Sequence, residues 1–161
     1  MGSHTKRPTP GAGADAEAQE ILDSVRQIVR ALRESGRSAE RKVGLSGAQL
    51  FVLEKLADGR ALSLNELAER TLTHQSSVSV VVSRLVGRRL VTRTVSPEDA
   101  RRVVLTLTPA GRALLARAPE AAQARLVEGL RRLPPREARS LARGLRALVE
   151  VMEHGDDRDS P

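Results

Sequence analysis

The sequence predicts a mainly α (α+β) fold: two short helices joined by a tight turn, one small β-hairpin behind them, and long helices on either side. Three observations carry the prediction. Apolar residues recur every three or four positions along most of the 161-residue chain. The period falls to two only near its middle, where Val103, Leu105 and Leu107 alternate with Val104, Thr106 and Thr108. Ahead of that stretch lies "THQSSVSVVVSRL", residues 73–85, whose apolar positions fit a helix better than a strand.

Composition limits what such a fold can do. Apolar residues make up 40% of the chain and charged residues 29%, enough for a packed core in water. Aromatics are 1%, so Phe51 is the lone ring and base-stacking platforms for single strands are excluded. A net charge of +7 points to an acidic partner, although a basic protein without a polyanion partner fits the total as well. With no cysteine there is no disulfide, thiolate metal site or thiol switch, and three scattered histidines make a poor metal site. No apolar run is long enough to span a bilayer and no signal peptide is evident, so a cytoplasmic protein without a membrane partner is expected.

The opening, rich in Gly and Pro, reads as a mobile arm over 1–14. A first helix follows, its stripe formed by Ile21, Leu22, Val25, Ile28, Val29 and Leu32, with Gly36 expected to end it and a linker to run to 45. Ser46 and Gln49 form a capping box that opens a second helix closed by Gly59, and Ser63 with Glu66 repeats the device for a third. That third helix cannot run far past Thr71, so a short turn leads into 73–85 and the pair reads as a helix-turn-helix. On a helical wheel Val78, Val81, Val82, Leu85 and Val86 share one face, while Ser76, Val80, Ser83 and Gly87 lie opposite, with Ser77 and Arg84 beside them. "LVTRTV" and "RRVVLTLT" flank "SPEDA" and form the hairpin. Thr108 then caps a helix that starts on Pro109 and is kinked at Pro119. After the break at 133–135 a last helix presents Leu141, Leu145, Leu148 and Met152 as a strict stripe, and 154–161 form a polar tail. By periodicity alone, the stripes of the first and last helices are accounted for by packing within the chain.

An exposed helix face that carries hydrogen-bonding groups can read base edges in the major groove of double-stranded DNA. Gln75, Ser76, Ser77, Ser79 and Ser83 are such groups, and Val80 suits a thymine methyl. Arg84 and Arg88 can reach phosphates, and His74 at the start of the helix can cap it or touch one. On the hairpin, Arg93, Arg101 and Arg102 flank a thin tip able to enter the minor groove, with Asp99 placed to hold Arg101 by a charge-assisted hydrogen bond. Between 72 and 102 six arginines face only Glu98 and Asp99, a concentration that favours DNA over a generally basic surface.

The order of these segments, and above all "SPEDARRVVLTLTPAG", resembles the MarR family of winged helix-turn-helix regulators over roughly residues 17–153. The resemblance implies a winged helix-turn-helix over 46–108 with a small β-hairpin wing, and long N- and C-terminal dimerisation helices over 15–45 and 109–153. It further implies a homodimer on a pseudo-palindromic operator, most often a repressor, with a possible small-molecule effector between the dimer helices and the DNA lobes. Such a pocket would be aliphatic, with arginines such as Arg30 or Arg41 nearby. Two departures stand out: Arg89 replaces the glycine that commonly ends the recognition helix, and "TLTHQ" lacks the usual glycine between the two helices. No phosphate loop, nucleophile motif or cofactor motif points to an enzyme. The alternative is a sequence-indifferent DNA-compacting protein, which would spread its charge over the surface. Heavy use of arginine and alanine hints at a GC-rich bacterial genome.

Overall fold

The computed structural model describes residues 12–96 and 99–155, so the expected arm up to 11, Pro97 and Glu98 of the hairpin turn, and the tail from 156 lie outside it. The chain divides after Gln123 into two compact units. The first contains α1 (Ala12–Val43), α2 (Gly47–Lys55), α3 (Leu64–Thr71), α4 (Gln75–Gly87), β1 (Val91–Val95), β2 (Val103–Leu107) and α5 (Pro109–Leu115). The second contains most of α6 (Ala122–Arg132) and all of α7 (Pro135–Gly155).

α2 is the hub of the first unit. Leu50, Phe51, Val52 and Leu53 are all buried. Consecutive helical residues point in different directions, so a helix buried at four in a row must be covered on every side. α1, α3, α4 and α5 provide that cover. Leu67 of α3, Val78, Val82 and Leu85 of α4 and Val91 of β1 complete the core. The two sequence-predicted capping boxes are both present. Ser46 Oγ accepts from the Gln49 N–H at 3.3 Å while Gln49 Oε1 accepts from the Ser46 N–H at 3.0 Å. Ser63 and Glu66 reciprocate at the start of α3.

β1 and β2 pair antiparallel in the register Val91↔Leu107 to Val95↔Val103. Leu62 adds a bridge to Leu105 that the sequence did not foretell, with N···O distances of 3.1 and 2.7 Å. This stub sews the hairpin to the residue just ahead of α3. Thr108 then makes two connections at once. Its hydroxyl accepts from the Gly111 N–H at 2.9 Å, capping α5, and donates to the Arg89 carbonyl at 2.9 Å.

Four expectations about helix limits fail, the first being that Gly59 closes α2, which ends at Lys55 with Leu56 as its C-cap. α1 does not stop at Gly36 but runs to Val43, and there is no linker. Gly36 lies where α1 crosses α2: a Cβ built on Gly47 would sit 3.5 Å from the Gly36 Cα. Glycine is there for close approach rather than as a stop signal, and Ala39 and Val43 beyond it are buried. The helix ends at Gly44, with φ +64. Its start at Ala12 also takes in the last residues of the expected arm. Pro119 does not kink a continuous helix; the chain leaves helix after Leu115 and resumes at Ala122. A proline ten residues past the start of α5 would have removed a hydrogen bond from a continuous helix, and the break avoids that cost.

Candidate nucleic-acid interface

α4 is exposed and buried as the wheel predicts. Val78, Val82 and Leu85 are buried, Val81 and Val86 half-buried, and Gln75, Ser76, Ser77, Val80, Ser83, Arg84 and Gly87 exposed. Val80 is 53% exposed, a large apolar side chain offered to solvent in the middle of a polar face. Ser79 is half-buried and so stands at the margin of that face. His74 is the N-cap residue, but its side chain makes no capping hydrogen bond, which removes one of its anticipated roles. Short oxygen-bearing side chains are the preferred caps, and an imidazole lacks that group.

The missing glycines are resolved by geometry. Leu72 and Arg89 both take left-handed backbone conformations, with φ of 51 and 58. Each stands at C′ of a Schellman motif. The Thr73 N–H reaches the Ala68 carbonyl and the Leu90 N–H the Leu85 carbonyl, both at 3.0 Å. The inner bonds, Leu72 N–H to Glu69 at 3.3 Å and Arg89 N–H to Val86 at 2.8 Å, complete the pattern. The buried pair Leu85 and Leu90 provides the apolar contact that accompanies such caps. Both helix ends are therefore made as if glycine were present, at the cost of some backbone strain.

The wing is braced on both flanks. From β1 the Arg93 guanidinium donates to Ser83 Oγ of α4 at 3.1 Å. From the turn, Arg102 forms an ion pair with Glu66 of α3. Glu66 also accepts from the Ser63 N–H at 2.7 Å and the Ser63 hydroxyl at 2.8 Å. The Arg102 guanidinium, followed by these Ser63 hydrogen bonds, holds the Glu66 carboxyl down to about 2. Glu66 is thus shared between a helix cap and the wing, a role the capping-box pattern alone could not disclose. Asp99 does not grip the Arg101 guanidinium as anticipated. Its carboxylate accepts from the Arg101 backbone N–H at 2.9 Å, an Asx turn that shapes the tip. Among the described residues no carboxylate is paired with the Arg101 or Arg84 guanidinium. Arg88 donates to the Gly44 carbonyl at 2.5 Å, closing the end of α1.

Two small cavities share Ala48 and Gln123 as walls, one of about 170 Å3 between α1 and α2 and one of about 110 Å3 behind α4. Ser77, Val78 and Val81 of α4 line the second. Gln123 Oε1 is buried with no hydrogen-bond partner. No arginine lines either of these two, whereas a larger cavity of about 410 Å3 along α1 is lined by Arg26, Arg30, Arg33 and Arg37. Glu54 of α2 accepts from the Ala121 N–H at 2.7 Å and the Ser35 hydroxyl accepts from the Ala122 N–H at 3.0 Å, anchoring the start of α6. Burial pushes the Glu54 carboxyl above its ordinary value, against the Ala121 hydrogen bond.

Comparison with known proteins agrees with this construction. Residues 43–102 match the model of the MarR family. The chain is 32% identical over 98 residues to the HTH-type transcriptional repressor MdtR of Bacillus subtilis (strain 168), a match covering 61% of this chain and 63% of that protein. The match thus spans less than two thirds of that relative's length. Among solved structures, Sco3205, a MarR family transcriptional regulator from Streptomyces coelicolor in complex with DNA, is 27% identical with a TM-score of 0.59 over 92% of each chain. BpsR of Bordetella bronchiseptica, whose DNA binding is regulated by 6-hydroxynicotinic acid, is 26% identical with a TM-score of 0.55 over 92% of this chain and 98% of its own. A winged helix-turn-helix built on these capping and bracing contacts, with a family match over residues 43–102, makes the chain similar in fold and in sequence to MarR family regulators.

Proposed function

We propose that the protein is a sequence-specific regulator of transcription, a repressor that binds double-stranded DNA as a homodimer on a pseudo-palindromic operator, and is not an enzyme. The carrying observation is the exposed polar face of α4, with Val80 at its centre and the braced wing beside it. Gln75, Ser76 and Ser77 lead into the major groove, Ser83 and Val80 follow along the face, and Arg84 and Arg101 meet phosphate or the minor groove. Arg88, Arg93 and Arg102 act first as struts, with their remaining N–H groups directed to the backbone of the duplex.

The dimer reading rests on apolar surface left open in the single chain. Ile21, Leu22 and Ile28 of α1 and Leu145, Leu148 and Met152 of α7 are between 44% and 78% exposed. Stripes of that length in contact with water mark an association surface. A two-fold pair of lobes should read half-sites about one turn of DNA apart. Release by a small molecule is supported by the cavity behind α4, with the orphaned Gln123 oxygen in its wall, and by the ligand-regulated relative. No helix among the described residues is long and apolar enough to cross a membrane, in keeping with a cytoplasmic regulator.

Selection of bound sites from random duplexes by the purified protein tests this. A palindromic consensus is expected. Strong binding without any enrichment would overturn the operator reading in favour of sequence-indifferent compaction.

A further inference from the structure

The wing and α4 are not the only concentration of positive charge. Between residues 26 and 42 of α1 six cations, Arg26, Arg30, Arg33, Arg37, Arg41 and Lys42, stand against Glu34 and Glu40. Spacings of four, three, four and four put the five arginines in one sector of the helix, a row of roughly 22 Å. That row lies about 130° around the helix from the centre of the apolar stripe, so an occupied dimer face would leave it in water.

Local pairing does not use it up. Arg26 bonds Asp23 at 2.7 Å. Among the described residues Arg30, Arg33, Arg37 and Arg41 have no ion-pair or hydrogen-bond partner, although Glu34 and Glu40 stand within a turn of them. The helix macrodipole rewards cations only in the last turn, which accounts for Arg41 and Lys42 and not for the arginines before them. The row also continues into the proposed DNA-reading surface. Gly44, two turns beyond Arg37 on the same sector, is where the Arg88 guanidinium from the end of α4 docks.

We propose that this arginine row is a second phosphate-binding track, which engages the backbone of duplex DNA outside the segment read by α4 and the wing. A straight line of guanidinium groups, all but Arg26 without a partner among the described residues, suits a regular polyanion better than a folded acidic surface, whose charges are scattered. An anionic membrane is disfavoured because α1 has no Trp, Tyr or Phe to anchor it at an interface. The inference rests on the DNA-binding reading above, but concerns contacts indifferent to base sequence.

The test compares a duplex holding the selected site alone with one extended by about one helical turn on each side. Wild type should bind the extended duplex more tightly, with a slope of log K against log salt steeper by about 2–3, near 0.9 for each added phosphate contact. The triple variant Arg30→Gln, Arg33→Gln, Arg37→Gln keeps helix propensity and should lose that increment while its affinity for the short duplex stays within about twofold. Arg33→Gln alone should lower the increment by about 0.9, and answers the question if the triple variant fails to fold. No gain from extension in wild type, or equal losses on both duplexes, would overturn the track. Because extended flanks of any sequence serve, the increment can be measured even if the selection enriches nothing. Failure of the operator reading is then distinguishable from failure of this one.

Discussion

Replacing Gly111 by alanine sets two quantifiable effects against each other. Gly111 is the third residue of α5, buried, with its N–H bonded to the Thr108 hydroxyl. Helix propensity alone favours alanine over glycine by about 1 kcal/mol. Packing forbids it. A Cβ at this position would fall well inside 3.0 Å of the Leu90 carbonyl oxygen and meet the Leu107 side chain at 3.0 and 3.2 Å. The first obstacle is backbone and cannot rotate away. Moving the Leu90 carbonyl would also strain the bonds it accepts from the Thr108 N–H and hydroxyl, both at 3.1 Å. Overpacking a close site costs about 1–3 kcal/mol, and each weakened hydrogen bond adds about 0.5–1.5. Net destabilisation of roughly 2 kcal/mol or more is expected after the propensity gain is deducted. Urea denaturation at fixed protein concentration measures it. Gly144→Ala serves as the control, because nothing lies within 4 Å of its Cβ position, and it should gain up to about 1 kcal/mol. A Gly111→Ala protein as stable as wild type would show that Gly111 is not packed against the Leu90 carbonyl and Leu107 as described.

Arg101→Ala should weaken binding to all duplexes and lower the salt slope by about 1, whereas Arg102→Ala should change the slope less because its guanidinium is engaged with Glu66. Equal slopes for the two variants would remove the distinction. Glu66→Gln loses the ion pair and weakens a capping box, with an expected cost near 1 kcal/mol at neutral pH. Since the folded state holds the Glu66 carboxyl at about 2, below its ordinary 4.5, the stabilisation is present above the ordinary value and fades as pH falls between the two. The difference between wild type and variant should therefore shrink in acid; a constant difference would refute the linkage. Glu54→Gln should act in the opposite sense. Burial raises the Glu54 carboxyl, so its charged form opposes folding above that raised value, while glutamine keeps an oxygen for the Ala121 N–H. The variant should be the more stable protein at neutral pH, with the gain vanishing as pH falls through the ordinary carboxylate range, and an unaltered denaturation midpoint at neutral pH would count against it.

The sequence exposed those features whose cause is local. A cap is made by residues three apart, so Ser46 with Gln49 and Ser63 with Glu66 were visible directly. The faces of α4 follow from angular spacing and needed nothing from elsewhere in the chain. What stayed hidden depends on partners far along the chain. Gly36 looks like a terminator until Gly47 is placed against it. The bridge from Leu62 to Leu105 and the bond from Arg88 to Gly44 each join residues more than forty positions apart. Leu72 and Arg89 were legible as anomalies, but not as Schellman positions, because the bonds that hold them are made by neighbours whatever the side chain.

The division of labour among the arginines also bears on how binding is achieved. Arg88, Arg93 and Arg102 are each tied to a protein group, at Gly44, Ser83 and Glu66, while Arg84 and Arg101 have no carboxylate partner among the described residues. One tether does not exhaust a guanidinium, which has five N–H donors. It does fix where the remaining donors point, and so reduces the side-chain entropy lost on meeting a phosphate, otherwise about 0.5–1.5 kcal/mol for each immobilised chain. Tying β1 to α4 and the turn to α3 also sets the angle between wing and helix before DNA arrives. Under the proposed function a cut in either strut should therefore loosen the wing without removing a base contact. Arg93→Ala should lower affinity for every site by a similar factor and leave the preferred sequence unchanged, whereas a changed preference would mean that Arg93 reads bases itself.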